Sequence, residues 1–121
     1  MAAEIDPARV SICHCTDCQA LTGSPYRVTV LCASEQVRLT GQSPKIYPKR
    51  GDNGRTRFQH FCPNCGSPLF TSGEDGGAGD FGIRWGSIRQ RENLRPVLQI
   101  WCRSAAPWTS DLKALPGVPT E

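Results

Sequence analysis

A small, mainly β domain stapled by metal is the fold class this sequence predicts, on three observations. The 121 residues include 12 glycines and 10 prolines, a turn-rich composition. No long stretch carries a clean helical apolar period, so short strands joined by loops are the expected build and helix should be sparse. Cysteines fall in two tight clusters, Cys13-His14-Cys15-Thr16-Asp17-Cys18 and Cys62-Pro63-Asn64-Cys65. With an apolar fraction of 38%, one modest core fits this length, and metal would supply part of the stability. The chain reads as a single domain over residues 1–121.

From the N-terminus, residues 1 to 9 read as a loose lead-in, with Pro7 discouraging a helix. Val10 and Ile12 alternate with Ser11, a short strand running into the first cysteine cluster. After the Gly23-Ser24-Pro25 turn, Tyr26 to Cys32 is rich in β-branched side chains and reads as a strand. Ala33 to Gln36 turns, and Val37 to Thr40 returns as the next strand, closed by Gly41. Lys45 to Pro48 and Arg57 to Phe61 form the arms of a hairpin, because Gly51-Asp52-Asn53-Gly54 between them tolerates positive φ. Leu69 to Thr71 is another short strand. The run from Gly73 to Asp80 has almost no side chain able to pack and reads as a mobile loop. Phe81 to Ile88 and Val97 to Cys102 finish the strands, and the tail beyond Trp108 is irregular.

The spacing of the cysteines points to zinc. Two cysteines separated by two residues can turn both sulfurs onto one tetrahedral ion, and Gly66 after the second pair suits that turn. The first cluster differs, since C-x-C-x-x-C offers three ligands. Three protein sulfurs and an open position are the arrangement of a reactive zinc rather than a structural one. A redox dithiol at Cys62 and Cys65 would want a βαβ context, which is not seen.

The formal net charge of +3 treats every cysteine as a neutral thiol. Ionising five of them around two zinc ions changes that by only about one charge, too weak a balance to imply nucleic acid. No segment approaches the length of a membrane span. Glu4, Asp6 and Arg9 interrupt any secretory apolar run, and a reducing, cytoplasmic compartment is expected.

Other residues divide between bland and chemical readings. His14 alternates away from the cysteines beside it and is expected to be exposed. His60 could substitute as a ligand near Cys62, although a surface or packing histidine is the simpler reading. Lys45, Lys49, Arg50, Arg55 and Arg57 read first as a solvated hairpin tip, and second as a cationic site for an anionic substrate. Cys32 and Cys102 have no partner at ligand spacing and read as small buried hydrophobes. Trp85, Trp101 and Trp108 are expected to pack in the core.

The order C-x-C-x-x-C, then F-C-x-x-C-G-S-P-L-F from Phe61 to Phe70, then Trp85-Gly86-Ser87-Ile88, Ile100-Trp101 and Pro107-Trp108 resembles the glutathione-dependent formaldehyde-activating enzyme family, to which centromere protein V also belongs. The similarity runs from about Val10 to Pro116. It implies an all-β fold of the Mss4-like type, with small antiparallel sheets around zinc, and a carbon–sulfur lyase role on a small thiol such as glutathione and an aldehyde. It also implies that Cys13, Cys15 and Cys18 hold the reactive zinc and that Cys62 and Cys65 form half of a structural site. The family's other half is a C-x-C ahead of Cys13, which residues 1–12 do not contain. The second pair would then find other partners, bind nothing, or join the first cluster in a merged, closed site. One zinc per chain is expected before two, and no catalytic residue is singled out beyond the ligands. Gln99 stands where the family often carries histidine. Unpaired strand edges could associate with a second chain as a homodimer. A non-catalytic zinc-stapled binding module, or a degenerate member that has lost a metal site, is the alternative reading.

Overall fold

The β-branched run after Pro25 becomes the inner strand against which the rest of the sheet is built. In the computed structural model, which describes residues 1–75 and 78–121, the chain is mainly β. It forms β1 (Ala2–Ala3), β2 (Val10–Cys13), α1 (Thr16–Thr22), β3 (Arg27–Ala33), β4 (Val37–Arg38), β5 (Lys45–Arg50), β6 (Thr56–Phe61), β7 (Pro68–Ser72), β8 (Asp80–Arg84) and β9 (Leu98–Ile100). Among the described residues these strands make a seven-stranded sheet in the order β5-β6-β7-β8-β3-β2-β9, and β1 pairs with β4 separately. All pairings are antiparallel except β2 with β9. Pro48 is tolerated in β5 because that strand is an edge, where one row of ladder donors is not needed.

Register decides which side chains share a face, because directly paired residues point the same way. Val10 faces Val30, Val30 faces Ile83, and Ile83 faces Phe70. These four are fully buried and, with Cys32, form the core on one side of the sheet. Each such side chain contributes roughly 1.5–3 kcal/mol by leaving water. Phe70 lies stacked between His60 at 4.0 Å and Phe81 at 4.9 Å. The opposite face carries Cys13 with Arg27, Thr29 with Arg84, Gln59 with Thr71 and Lys49 with Arg57, a polar and cationic row.

Several expectations change. Residues 1 to 9 are ordered rather than loose: Ala2–Ala3 pairs in β1, and a 3₁₀ turn at Pro7–Arg9 is capped by Asp6, with Pro7 at a first-turn position where its missing donor costs nothing. A helix, α1, was not anticipated inside the cysteine motif; seven residues are too few to show a period. The expected strand from Phe81 to Ile88 stops at Arg84, where Trp85–Ser87 enters a 3₁₀ turn and the Ser87 hydroxyl donates to the Arg84 carbonyl at 2.8 Å. Cys102 is exposed rather than buried, and Trp101 and Trp108 are exposed, while Trp85 is half-buried, its Nε1–H donating to the Leu94 carbonyl. The β-branched residues and Phe70 already fill the core. The expected mobile loop from Gly73 to Asp80 includes residues 76 and 77, which lie outside the described residues.

Candidate metal centre

The first cysteine cluster is built by a strand that ends where a helix begins. Cys13 is the last residue of β2, facing Arg27 across the ladder. Pairing with β9 continues one residue further, the His14 amide donating to the Ile100 carbonyl at 3.1 Å. Cys15 then caps α1 with extended backbone angles, its sulfur accepting the Cys18 amide at 3.3 Å. One helical turn brings Cys18 back over Cys15, and Asp17 in that turn suits the positive helix end. Gly23, in the left-handed region at φ 61°, closes the helix.

The sulfurs of Cys13, Cys15 and Cys18 consequently lie within 4.8 Å of one another. That separation fits three thiolates sharing one ion, each at roughly 2.3 Å from it. The chemistry of the donor set fits a soft or borderline metal and leaves a fourth tetrahedral corner to another ligand. Without metal the cluster shares a proton unevenly. The hydrogen bond with Cys18 holds the Cys13 thiol down to about 5, aided by Cys15 and the Arg27 guanidinium, while Cys18 is pushed up by the same bond and by burial.

The second pair stands apart. Cys62 follows β6, its amide bonded to the Ser67 carbonyl at 2.9 Å, and Gly66 at φ 76° returns its amide to the Cys62 carbonyl at 2.8 Å, the knuckle expected from C-x-x-C-G. Cys65 is exposed and its thiol is held below the usual range by hydrogen bonds with Ser67 first and Cys62 after it. Among the described residues no third His, Cys, Asp or Glu ligand atom joins the pair within 4.8 Å, so the structure does not merge the five sulfurs into one cluster.

Neither histidine enters the cluster. His14 is not exposed as expected but 3% accessible, because the continued pairing with β9 places it on the far face of the strand. There its Nε2 bonds Gln99 Oε1 at 2.8 Å and its ring lies edge-on to Tyr26. Gln99, at a position left without a role by the sequence, therefore fixes His14. His60 packs on Phe70 and bonds Ser72 Oγ at 3.0 Å, the packing reading rather than the ligand one.

The three sulfurs open onto a cleft of about 880 Å³. Six cations line it, Arg27, Lys49, Arg55, Arg57, Arg84 and Arg103, against two acids, Asp17 and Asp52. The hairpin cations are thus not only a solvated tip: Lys49, Arg55 and Arg57 reach the cleft, and Lys49 bridges to Asp17 of α1 at 3.4 Å. Trp101 forms part of the wall in the left-handed region, φ 57°, an uncommon conformation for a bulky residue, with the Arg103 guanidinium 4.9 Å from its ring centre. Sequence reasoning missed Arg27, Arg84, Arg103, Gln59 and Trp101. The available signal was alternation, since Arg27, Thr29 and Leu31 interleave with Val28, Val30 and Cys32, but register alone brings Arg84 and Gln59 beside Arg27.

A family model, that of the glutathione-dependent formaldehyde-activating enzyme, matches residues 1–104. No curated protein matches the chain. Among the described residues no helix is long and apolar enough to cross a membrane.

Proposed function

The chain belongs to the glutathione-dependent formaldehyde-activating enzyme family, and from that premise we propose that it forms or breaks an adduct between a small anionic thiol such as glutathione and an aldehyde, with zinc held by Cys13, Cys15 and Cys18. The observation that carries this reading is the placement of three convergent sulfurs in a cleft whose lining is strongly cationic. When bound, zinc supplies the positive charge that keeps a sulfur ionised near neutral pH. Everything else falls to the protein's own side chains. The cleft cations attract and hold the carboxylates of the thiol, which positions its sulfur at the cysteine end and lowers the entropy to be lost on meeting the aldehyde. In the forward direction the sulfur electron pair forms the C–S bond to the carbonyl carbon. The carbonyl π pair passes to oxygen, and the proton given up by the thiol ends there. Reversal breaks the same bond.

Cys62 and Cys65 are proposed as a second metal-binding pair, a reading supported by their glycine-closed knuckle. All seven cysteines are free, which suits a reducing, cytoplasmic setting. The function is tested by exchange NMR of glutathione with formaldehyde, alongside elemental analysis of the protein purified without added metal. Acceleration of S-hydroxymethylglutathione exchange, together with bound zinc, is expected in the native protein and not in Cys13→Ser. A folded protein that carries no zinc and leaves the exchange rate unchanged would overturn the proposal.

A further inference from the structure

Two arginines inside the cleft have no carboxylate partner among the described residues, and the negative charge they meet in the protein is that of the nearby cysteine sulfurs. Arg27 is 6% exposed, and its Nη1 donates to Gln59 Oε1 at 3.2 Å, while its Nε is buried with no partner among the described residues. Arg84 donates to the same oxygen from Nη2 at 3.1 Å and to Thr29 Oγ1 from Nη1 at 2.7 Å. Neither guanidinium has a carboxylate within 4.0 Å among the described residues. Two cations thus converge on one neutral oxygen. Burying charge in this way is unfavourable unless an anion completes it, and the guanidinium fork matches a carboxylate in particular.

On the reading of the site given above, we propose that Arg27 and Arg84, held together by Gln59, form a buried anion subsite that takes a carboxylate of the thiol substrate, so that the cleft selects acidic thiols over neutral ones. Both arginines also border a second cleft of about 730 Å³, whose lining contains no cysteine. The sulfur cluster therefore decides on which side a thiol meets them. Gly82 keeps the floor of the subsite low, since a Cβ there would come within 2.8 Å of Thr71 Oγ1 and 3.0 Å of Thr29 Cγ2, the residue whose hydroxyl holds Arg84.

Gln59→Glu tests the subsite without removing either arginine. It would place a carboxylate where both guanidiniums already converge, filling the subsite from within, and it carries little risk of unfolding. Calorimetric titration of the purified holoprotein with S-methylglutathione, whose capped sulfur cannot ionise, reads carboxylate binding apart from turnover. Native protein should bind this probe, and Gln59→Glu and Arg84→Lys should each weaken it by about tenfold or more, with the diethyl ester of the probe bound weakly by all three. Equal affinity in native and Gln59→Glu protein would overturn the subsite, as would loss of metal in Arg84→Lys with affinity for the probe unchanged, which would assign the guanidiniums to the cysteine sulfurs. Tight binding that Gln59→Glu abolishes, with no acceleration of exchange between glutathione and formaldehyde over the uncatalysed rate, would keep the subsite and remove the proposed reaction. Normal exchange with an unaltered KM in Gln59→Glu would do the reverse.

Discussion

At the scale of single residues, environment decides what a histidine or a cysteine is for. His60 is stacked on Phe70, and burial lowers its pKa from 6.5. The folded state favours the neutral ring, so the unfolded chain binds more protons below that value. Stability from this group is complete above about pH 6.5 and is lost as the pH falls below that value through the lowered pKa of the folded state. Denaturant midpoints measured between about pH 7 and pH 5 should fall more steeply in the native protein than in His60→Gln. Equal slopes would show that the ring is not responsible. The first cysteine motif was legible in the sequence because ligand spacing is a local property. The buried state of His14 was not, because it depends on a hydrogen bond to Ile100, which is 86 positions away.

At the scale of elements, the junction from β2 to α1 does two jobs through one residue. Cys15 is both the cap of the helix and a member of the sulfur cluster. Serine caps helices well, so Cys15→Ser should leave the metal-free protein within about 0.5 kcal/mol of the native one while lowering its metal content and its exchange activity. A variant that retained full metal content would remove Cys15 from the site. The hairpin of β5 and β6 was readable from its alternating arms and Gly51-to-Gly54 turn, and it forms with longer arms, Lys45–Arg50 and Thr56–Phe61. The helix was not readable, since its signals, a capping cysteine, Asp17 in the first turn and Gly23 at the end, look from the sequence like parts of a metal-binding loop.

At the scale of the whole molecule, a formal charge of +3 understates the field that a ligand meets, because cations from β3, β5, β6, β8 and the segment after β9 gather around one cleft. Raising ionic strength from about 0.01 M to 0.15 M shortens the screening length from about 30 Å to about 8 Å, so KM for glutathione should rise several-fold with kcat little changed. An unchanged KM would mean that the cations do not act on the substrate. By itself the sequence determined the mainly β class, the approximate positions of the strands from Val10 onward, the two cysteine motifs and the family, all of which rest on local composition, alternation and spacing. Tertiary structure alone decided that Cys62 and Cys65 stand apart from the first cluster rather than merging with it. It also decided that Arg27, Gln59 and Arg84 meet under them and that Trp101 serves the cleft rather than the core. The physical reason is register: a shift of one residue in any of these pairings would turn those side chains to the opposite face of the sheet.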